Sequence, residues 1–137
     1  MMKFAGTLFE QKFVVECLTH GLHPHPSIGD YLPHDLIVQN TVGRCFRVQV
    51  KGTDTLVKNA KHRTGRYRIT AKAGKTKNRI GIDCMRVDVV SAFVAATNTW
   101  YNIPCTKLAS QVVWLYPEDD TSKGQYEKYR NRWDVFS

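Results

Sequence analysis

The sequence predicts a chain of the α/β (α+β) class, and three observations carry that prediction. The opening segment, from about Phe4 to His20, repeats Phe9, Phe13, Val14, Cys17 and Leu18 at helical spacing, and Gly21 is a suitable stop. Farther on, Phe46, Val48 and Val50 alternate with Arg47, Gln49 and Lys51, the period of a strand with one apolar face. Then Val87, Val89-Val90 and Ala92-Phe93-Val94-Ala95-Ala96 form a near-continuous apolar run, the mark of a strand covered on both faces.

A chain of 137 residues predicts one domain over 1–137, large enough for a single core. Hydrophobic content of 42% and charged content of 23% are ordinary for a soluble globular protein. No apolar run reaches the roughly 20 residues of a membrane span. The first residues, Met1-Met2-Lys3-Phe4-Ala5-Gly6, lack the apolar centre of a secretory signal, so the expected location is cytoplasmic. Lys and Arg total 20 against 12 Asp and Glu, a formal charge of +8. That excess favours a polyanionic partner. Nucleic acid comes before membrane, because no basic amphipathic helix with a broad apolar face is evident. Cys17, Cys45, Cys84 and Cys105 are widely separated, with no pair at zinc-knuckle or redox-motif spacing. They are expected to be reduced, partly buried thiols.

Within the first helix Glu10 has two readings. Thr7 as N-cap with Glu10 three residues on fits a capping box. Alternatively, Glu10 leans towards the sheet and supplies a carboxylate to a metal site. Leu22 to Tyr31, interrupted by Pro24 and Pro26, is an edge strand or connector. His23 and His25 share a face if it is extended. Surface histidines near phosphates are the favoured reading, since no third metal ligand lies nearby in sequence.

Pro33-His34-Asp35-Leu36-Ile37-Val38 and Phe46 to Lys51 read as adjacent strands joined by a turn at Gly43. Such a hairpin brings Asp35 near Gln49 and Lys51. A carboxylate, an amide oxygen and an ammonium on one face form a candidate divalent-metal and phosphate site. For Asp35 alone, a turn role after Pro33 is the plainer reading; the conjunction changes it.

From Lys58 onward the chain turns basic. Arg63, Arg66, Arg68, Lys72, Lys75, Lys77 and Arg79 flank a short strand through Tyr67, Ile69 and Ala71. This pattern suits a hairpin laid along a DNA backbone or groove. Asp83 and Asp88 lie in the approach to the apolar strand. Trp100-Tyr101-Asn102-Ile103-Pro104 reads as its return, Thr106 to Gln111 as a short helix capped by Thr106, and Val112 to Tyr116 as another strand. Gln125 to Trp133 reads as a final helix, with Tyr126, Tyr129, Arg130 and Trp133 on one face.

The order of elements is a helix with Glu10, Pro33-His34-Asp35, Gln49-Val50-Lys51, and a strand pair from Asp83 to Pro104. It resembles the PD-(D/E)XK nuclease superfamily. Within it the chain looks most like small bacterial homing endonucleases encoded in group I introns, in which Gln precedes X-Lys. Two departures stand out: His34 separates Pro33 from Asp35, and Gln49 replaces the usual acidic residue. The resemblance implies a restriction-endonuclease-like mixed central β-sheet flanked by helices. It implies hydrolysis of DNA phosphodiester bonds with Mg²⁺, for which Mn²⁺ can substitute. Carried over, Glu10 and Asp35 are the acidic groups, Gln49 the neutral oxygen donor and Lys51 the cation beside the scissile phosphate. The implied partners are double-stranded DNA and further copies of the chain, as a homodimer or homotetramer.

The leading expectation is a site-specific, metal-dependent endonuclease of homing type. A Holliday-junction resolvase or other DNA-repair nuclease is the alternative within the same chemistry. A non-catalytic nucleic-acid-binding domain is the alternative of another class, motivated by Gln49.

Overall fold

The computed structural model describes residues 5–61, 64–72, 80–119 and 124–137. Its opening helix, α1, spans Ala5–Thr19 and buries Phe9, Phe13 and Cys17 on one side. Thr7 lies inside α1 rather than at its cap, so the capping-box reading of Glu10 is overturned. Among the described residues eight strands follow: β1 (His23–Pro26), β2 (Leu36–Gln39), β3 (Cys45–Thr53), β4 (Leu56–Val57), β5 (Arg66–Thr70), β6 (Val89–Val94), β7 (Thr99–Pro104) and β8 (Val112–Leu115).

Five of them form a sheet in the order β1-β2-β3-β6-β7, and β4-β5-β8 form a second, smaller one. The large sheet is mixed: β3 pairs parallel with β6, while its other neighbours are antiparallel. Parallel strands need a long crossover, and here the small sheet's β4 and β5 fall within it. The β2–β3 hairpin turns through Asn40, whose side-chain oxygen accepts the N–H of Val42 (3.1 Å) and Arg44 (2.9 Å), and Gly43 adopts a φ of 89°.

β6 is buried at every position, as its continuous apolar run requires. Its alternate residues feed two cores. Val89 and Phe93 join Phe9, Phe13, Val48 and Trp100 beneath α1. Val90, Ala92 and Val94 join Tyr67, Ile69, Val113 and Leu115 of the small sheet. The mixed sheet is therefore covered by a helix on one face and by a second sheet on the other.

The register of β3 against β6 is clamped by Arg47 and Asp88. Asp88 accepts the Arg47 backbone N–H (2.7 Å) and both Nε and Nη2 of its guanidinium (3.0 Å each), and returns its own N–H to the Arg47 carbonyl (2.8 Å). The guanidinium holds the Asp88 carboxyl below its usual range. Asp88 is thus committed to the scaffold.

Three further expectations are corrected. Cys84 and Cys105 are joined as a disulfide with Cα atoms 5.6 Å apart, while Cys17 is a buried thiol and Cys45 an exposed one. The end of β7 folds back on the approach to β6, where the Cys105 N–H donates to the Asp88 carbonyl (2.8 Å); sequence spacing does not reveal that meeting. Thr106 to Gln111 is not a helix: a 3-10 turn covers Cys105–Lys107 only. Nor is Gln125 to Trp133. Glu127–Tyr129 and Trp133–Phe136 are short 3-10 turns, Arg130 bridges Tyr101 in β fashion, and Asn131 takes a φ of 54°.

Candidate active site

β3 outruns β2, and the site lies where the two part. The last register pair is Leu36 with Val48. One residue earlier, the Asp35 N–H still donates to the Val48 carbonyl (2.8 Å). Beyond that point β2 offers β3 no backbone partner, and the Val50 N–H donates to Asp35 Oδ2 (2.7 Å). A side-chain oxygen has taken over where the ladder stops. Asp35 is held by that bond at the mouth of the split.

Glu10 reaches the same place from α1. Its carboxyl hydrogen-bonds to that of Asp35, and the two groups repel as charges. Burial, then the charge of Asp35, then that hydrogen bond push the Glu10 carboxyl up to about 7. Asp35 is also raised, chiefly by burial; the Val50 N–H, the Glu10 hydrogen bond and attraction to Lys51 and His34 all oppose that rise. Two carboxyls forced together share a proton until a cation replaces it.

Gln49 and Lys51 stand two residues apart on β3, in register with Val90 and Ala92 of β6. They share the face that the small sheet covers. Lys51 is half-buried and its charge acts on Asp35. Gln49 is buried, 8% exposed, and among the described residues no hydrogen bond joins it to Glu10, Asp35 or Lys51. The structure therefore sets Asp35 between Glu10, whose carboxyl it meets, and Lys51, whose charge acts on it, and places Gln49 on the strand beside them.

A cavity of about 230 Å³ opens onto the pair, lined by Glu10, Ser27, Asp30, Leu32, His34 and Asp35 among others. Neither His34, noted in the sequence only for separating Pro33 from Asp35, nor Asp30 is among the candidate site residues read from sequence. Only the adjacency of His34 to Asp35 signalled it, and Asp30 had no signal at all. The histidine pair on β1 is exposed, with ring centroids 4.5 Å apart, and His25 bonds Gln39 (2.9 Å). No group of three or more His, Cys, Asp or Glu side chains disposed to hold a metal occurs among the described residues. The oxygen groups that meet there are the carboxyls of Glu10 and Asp35, with the Gln49 amide on the adjacent strand; hard oxygen donors of this kind suit a cation such as Mg²⁺, which keeps several waters of its own.

The basic residues divide. Arg66 and Arg68 alternate with buried Tyr67 and Ile69 along β5, so they project from the outer face of the small sheet. Arg66 stacks on Trp114, its guanidinium carbon 3.5 Å from the ring centroid, and donates to the Tyr116 hydroxyl (3.3 Å). Arg68 and Lys72 are exposed. Arg63, Lys75, Lys77 and Arg79 lie outside the described residues.

A sequence model of the PD-(D/E)XK endonuclease family matches residues 2–136. The chain belongs to the PD-(D/E)XK endonuclease family. Membership makes it an endonuclease and agrees with a carboxyl pair beside a lysine at the end of a β-hairpin. Among solved structures, I-Ssp6803I, a bacterial homing endonuclease, is similar at a TM-score of 0.72 and 24% identity over 98% of this chain and 90% of that one. That likeness shows the fold: this PD-(D/E)XK chain has the architecture of that enzyme. Comparison with curated protein sequences gave no match.

The raised Glu10 carboxyl gives a pH prediction. In the cation-free protein the pair keeps a proton that the unfolded chain releases above 4.5. Stability should therefore fall as pH rises from 4.5 to about 7 and then level off. A bound divalent cation must displace that proton. Its affinity should climb by up to about tenfold per pH unit below neutrality and flatten above. Calorimetric titration with Ca²⁺ across this range checks it. Glu10→Gln should weaken the affinity and remove its pH dependence; a Glu10→Gln profile that keeps the wild-type slope contradicts the assignment.

Proposed function

We propose that this endonuclease is a site-specific, Mg²⁺-dependent enzyme of homing type that cuts double-stranded DNA as a homo-oligomer. The observation that carries the reading is the meeting of Glu10 and Asp35 where β2 and β3 part, within the electrostatic reach of Lys51. Asp35 and Glu10 are the residues that would hold the cation, with Gln49 as a neutral oxygen donor that adds no charge. A divalent cation there would withdraw charge from the phosphate and acidify water. Lys51 supplies positive charge beside the phosphate as the transition state forms. Asp35 is oriented by the Val50 N–H, and Glu10 gives up the shared proton.

One such centre cuts one strand, so a double-strand cut calls for two copies. The similarity to a bacterial homing endonuclease supports a single linear target rather than a branched one. A cleavage assay with Mg²⁺ on linear duplex libraries against four-way junctions tests this. The expected result is cutting of a defined duplex sequence; preferential junction cutting would move the protein to the resolvases, and no cutting with Mg²⁺ or Mn²⁺ would leave a binding module.

The outer face of the small sheet supports DNA contact. Arg68 and Lys72 are exposed there or next to it, beside the Arg66–Trp114 stack. Replacing Arg68 and Lys72 together by Ala should weaken binding of all duplexes alike. The slope of log affinity against log salt should drop by about 1 to 2. An unchanged slope in a filter-binding series would place the DNA elsewhere.

A further inference from the structure

Helix α1 is apolar on two sides. Phe9, Phe13 and Cys17 are buried beneath it, yet Leu8, Val15 and Leu18 are 53%, 62% and 60% exposed on the side away from the sheet. Leu8, Gln11, Val15 and Leu18 step along the helix by three, four and three residues, the spacing of a seam between two packed helices. Alongside the stripe runs a groove of about 300 Å³ between α1 and the turn into β7, lined by Leu8, Lys12, Val15, Glu16, Asn98 and Trp100.

We propose that this face of α1 is the subunit interface, occupied by the same face of a second copy packed antiparallel across a two-fold axis. The charge pattern names the occupant. Lys12 and Glu16 are one turn apart along the groove, so antiparallel pairing sets Lys12 of each copy towards Glu16 of the other. Packing the stripe on itself sets Leu8 opposite Leu18 and Gln11 opposite Val15, a register two residues from the one that puts Lys12 level with Glu16 and within the reach of a lysine side chain. A surface that is its own complement in both charge and apolar spacing fits an isologous contact. Glu16 also lies 3.6 Å from His20, just past the end of α1 in its own chain. The interface deepens the proposed function, which needs two cutting centres. It also bears on the site directly, because Glu10 sits on the helix that would be pinned between the sheet and the second subunit.

The test is the mass of the intact chain by sedimentation equilibrium. Wild type is expected to be a dimer or larger at micromolar concentration. Val15→Glu with Leu18→Glu should give a monomer whose circular dichroism and melting are unchanged, since both positions are exposed. Lys12→Glu alone should raise the dissociation constant at least about tenfold, and Lys12→Glu with Glu16→Lys should restore it. A wild-type monomer, or a Val15→Glu, Leu18→Glu protein that associates as wild type does, overturns the proposal. Plasmid cleavage separates this from the nuclease reading: the monomer should nick supercoiled DNA and not linearise it. A protein that dimerises through α1 but never cuts leaves the interface standing and removes the chemistry.

Discussion

Asp35→Asn should cost the enzyme at least about 10² to 10³ in single-turnover cleavage rate while leaving its fold and its DNA affinity in Ca²⁺ nearly intact. One hydrogen bond separates the two roles of Asp35. Asp35 Oδ2 accepts the Val50 N–H at 2.7 Å, at the point where β2 has stopped pairing with β3. An asparagine keeps an acceptor oxygen for that N–H, so the hairpin's end is still closed. It loses the charge that a cation needs and that Glu10 shares a proton with. Asp35→Ala removes the acceptor as well and leaves a half-buried N–H unpaired, which should add a destabilisation of about 1 to 3 kcal/mol. Cleavage should therefore be lost in both variants, and melting temperature only in the second. An active Asp35→Asn enzyme would remove Asp35 from the chemistry, and equal melting of the two would remove it from the hairpin.

The parts of this site that were legible in sequence are those set by local periodicity. Alternation at Phe46 to Lys51 fixed which residues of β3 share a face, and the turn at Gly43 fixed the hairpin, so Asp35 fell beside Gln49 and Lys51 without further information. Helical spacing put Phe9 and Phe13 inward, which carries Glu10 to the flank of α1 nearest the sheet. What escaped was set by contacts distant in sequence. β5 and β8 each read as strands, but nothing in either says that Tyr67 pairs with Leu115 and closes a second sheet over β6. The C-terminal segment has helical spacing at Tyr126, Tyr129, Arg130 and Trp133, yet tertiary partners override it. Glu127 accepts from the Tyr101 hydroxyl (2.9 Å) and the Tyr116 N–H (3.1 Å), Arg130 bridges to Tyr101, and Trp133 stacks on His20 with centroids 4.5 Å apart. Cys84 and Cys105 meet for the same reason.

Gly52 is a case where the sequence showed the residue and only the structure shows its use. It follows Lys51 in the inner part of β3, where a glycine normally weakens a strand. Here α1 lies so close that a Cβ on residue 52 would sit 2.2 Å from Phe9 Cδ2. Phe9 cannot swing away freely, being 7% exposed and packed edge-on to Phe93 at 5.7 Å between centroids. Gly52→Ala should therefore lift α1 from the sheet, at a cost of about 2 to 3 kcal/mol. Because Glu10 is the next residue to Phe9, the same displacement should draw its carboxyl off Asp35. Cleavage at a temperature where the variant is still folded should fall by more than the unfolded fraction explains, and Ca²⁺ affinity should fall with it. Phe9→Leu in the same chain makes room for the methyl group, and the double variant should recover much of the melting temperature lost by Gly52→Ala alone. If Gly52→Ala melts and cuts as wild type does, the close approach of helix to strand is wrong, and with it the route by which Glu10 reaches the site.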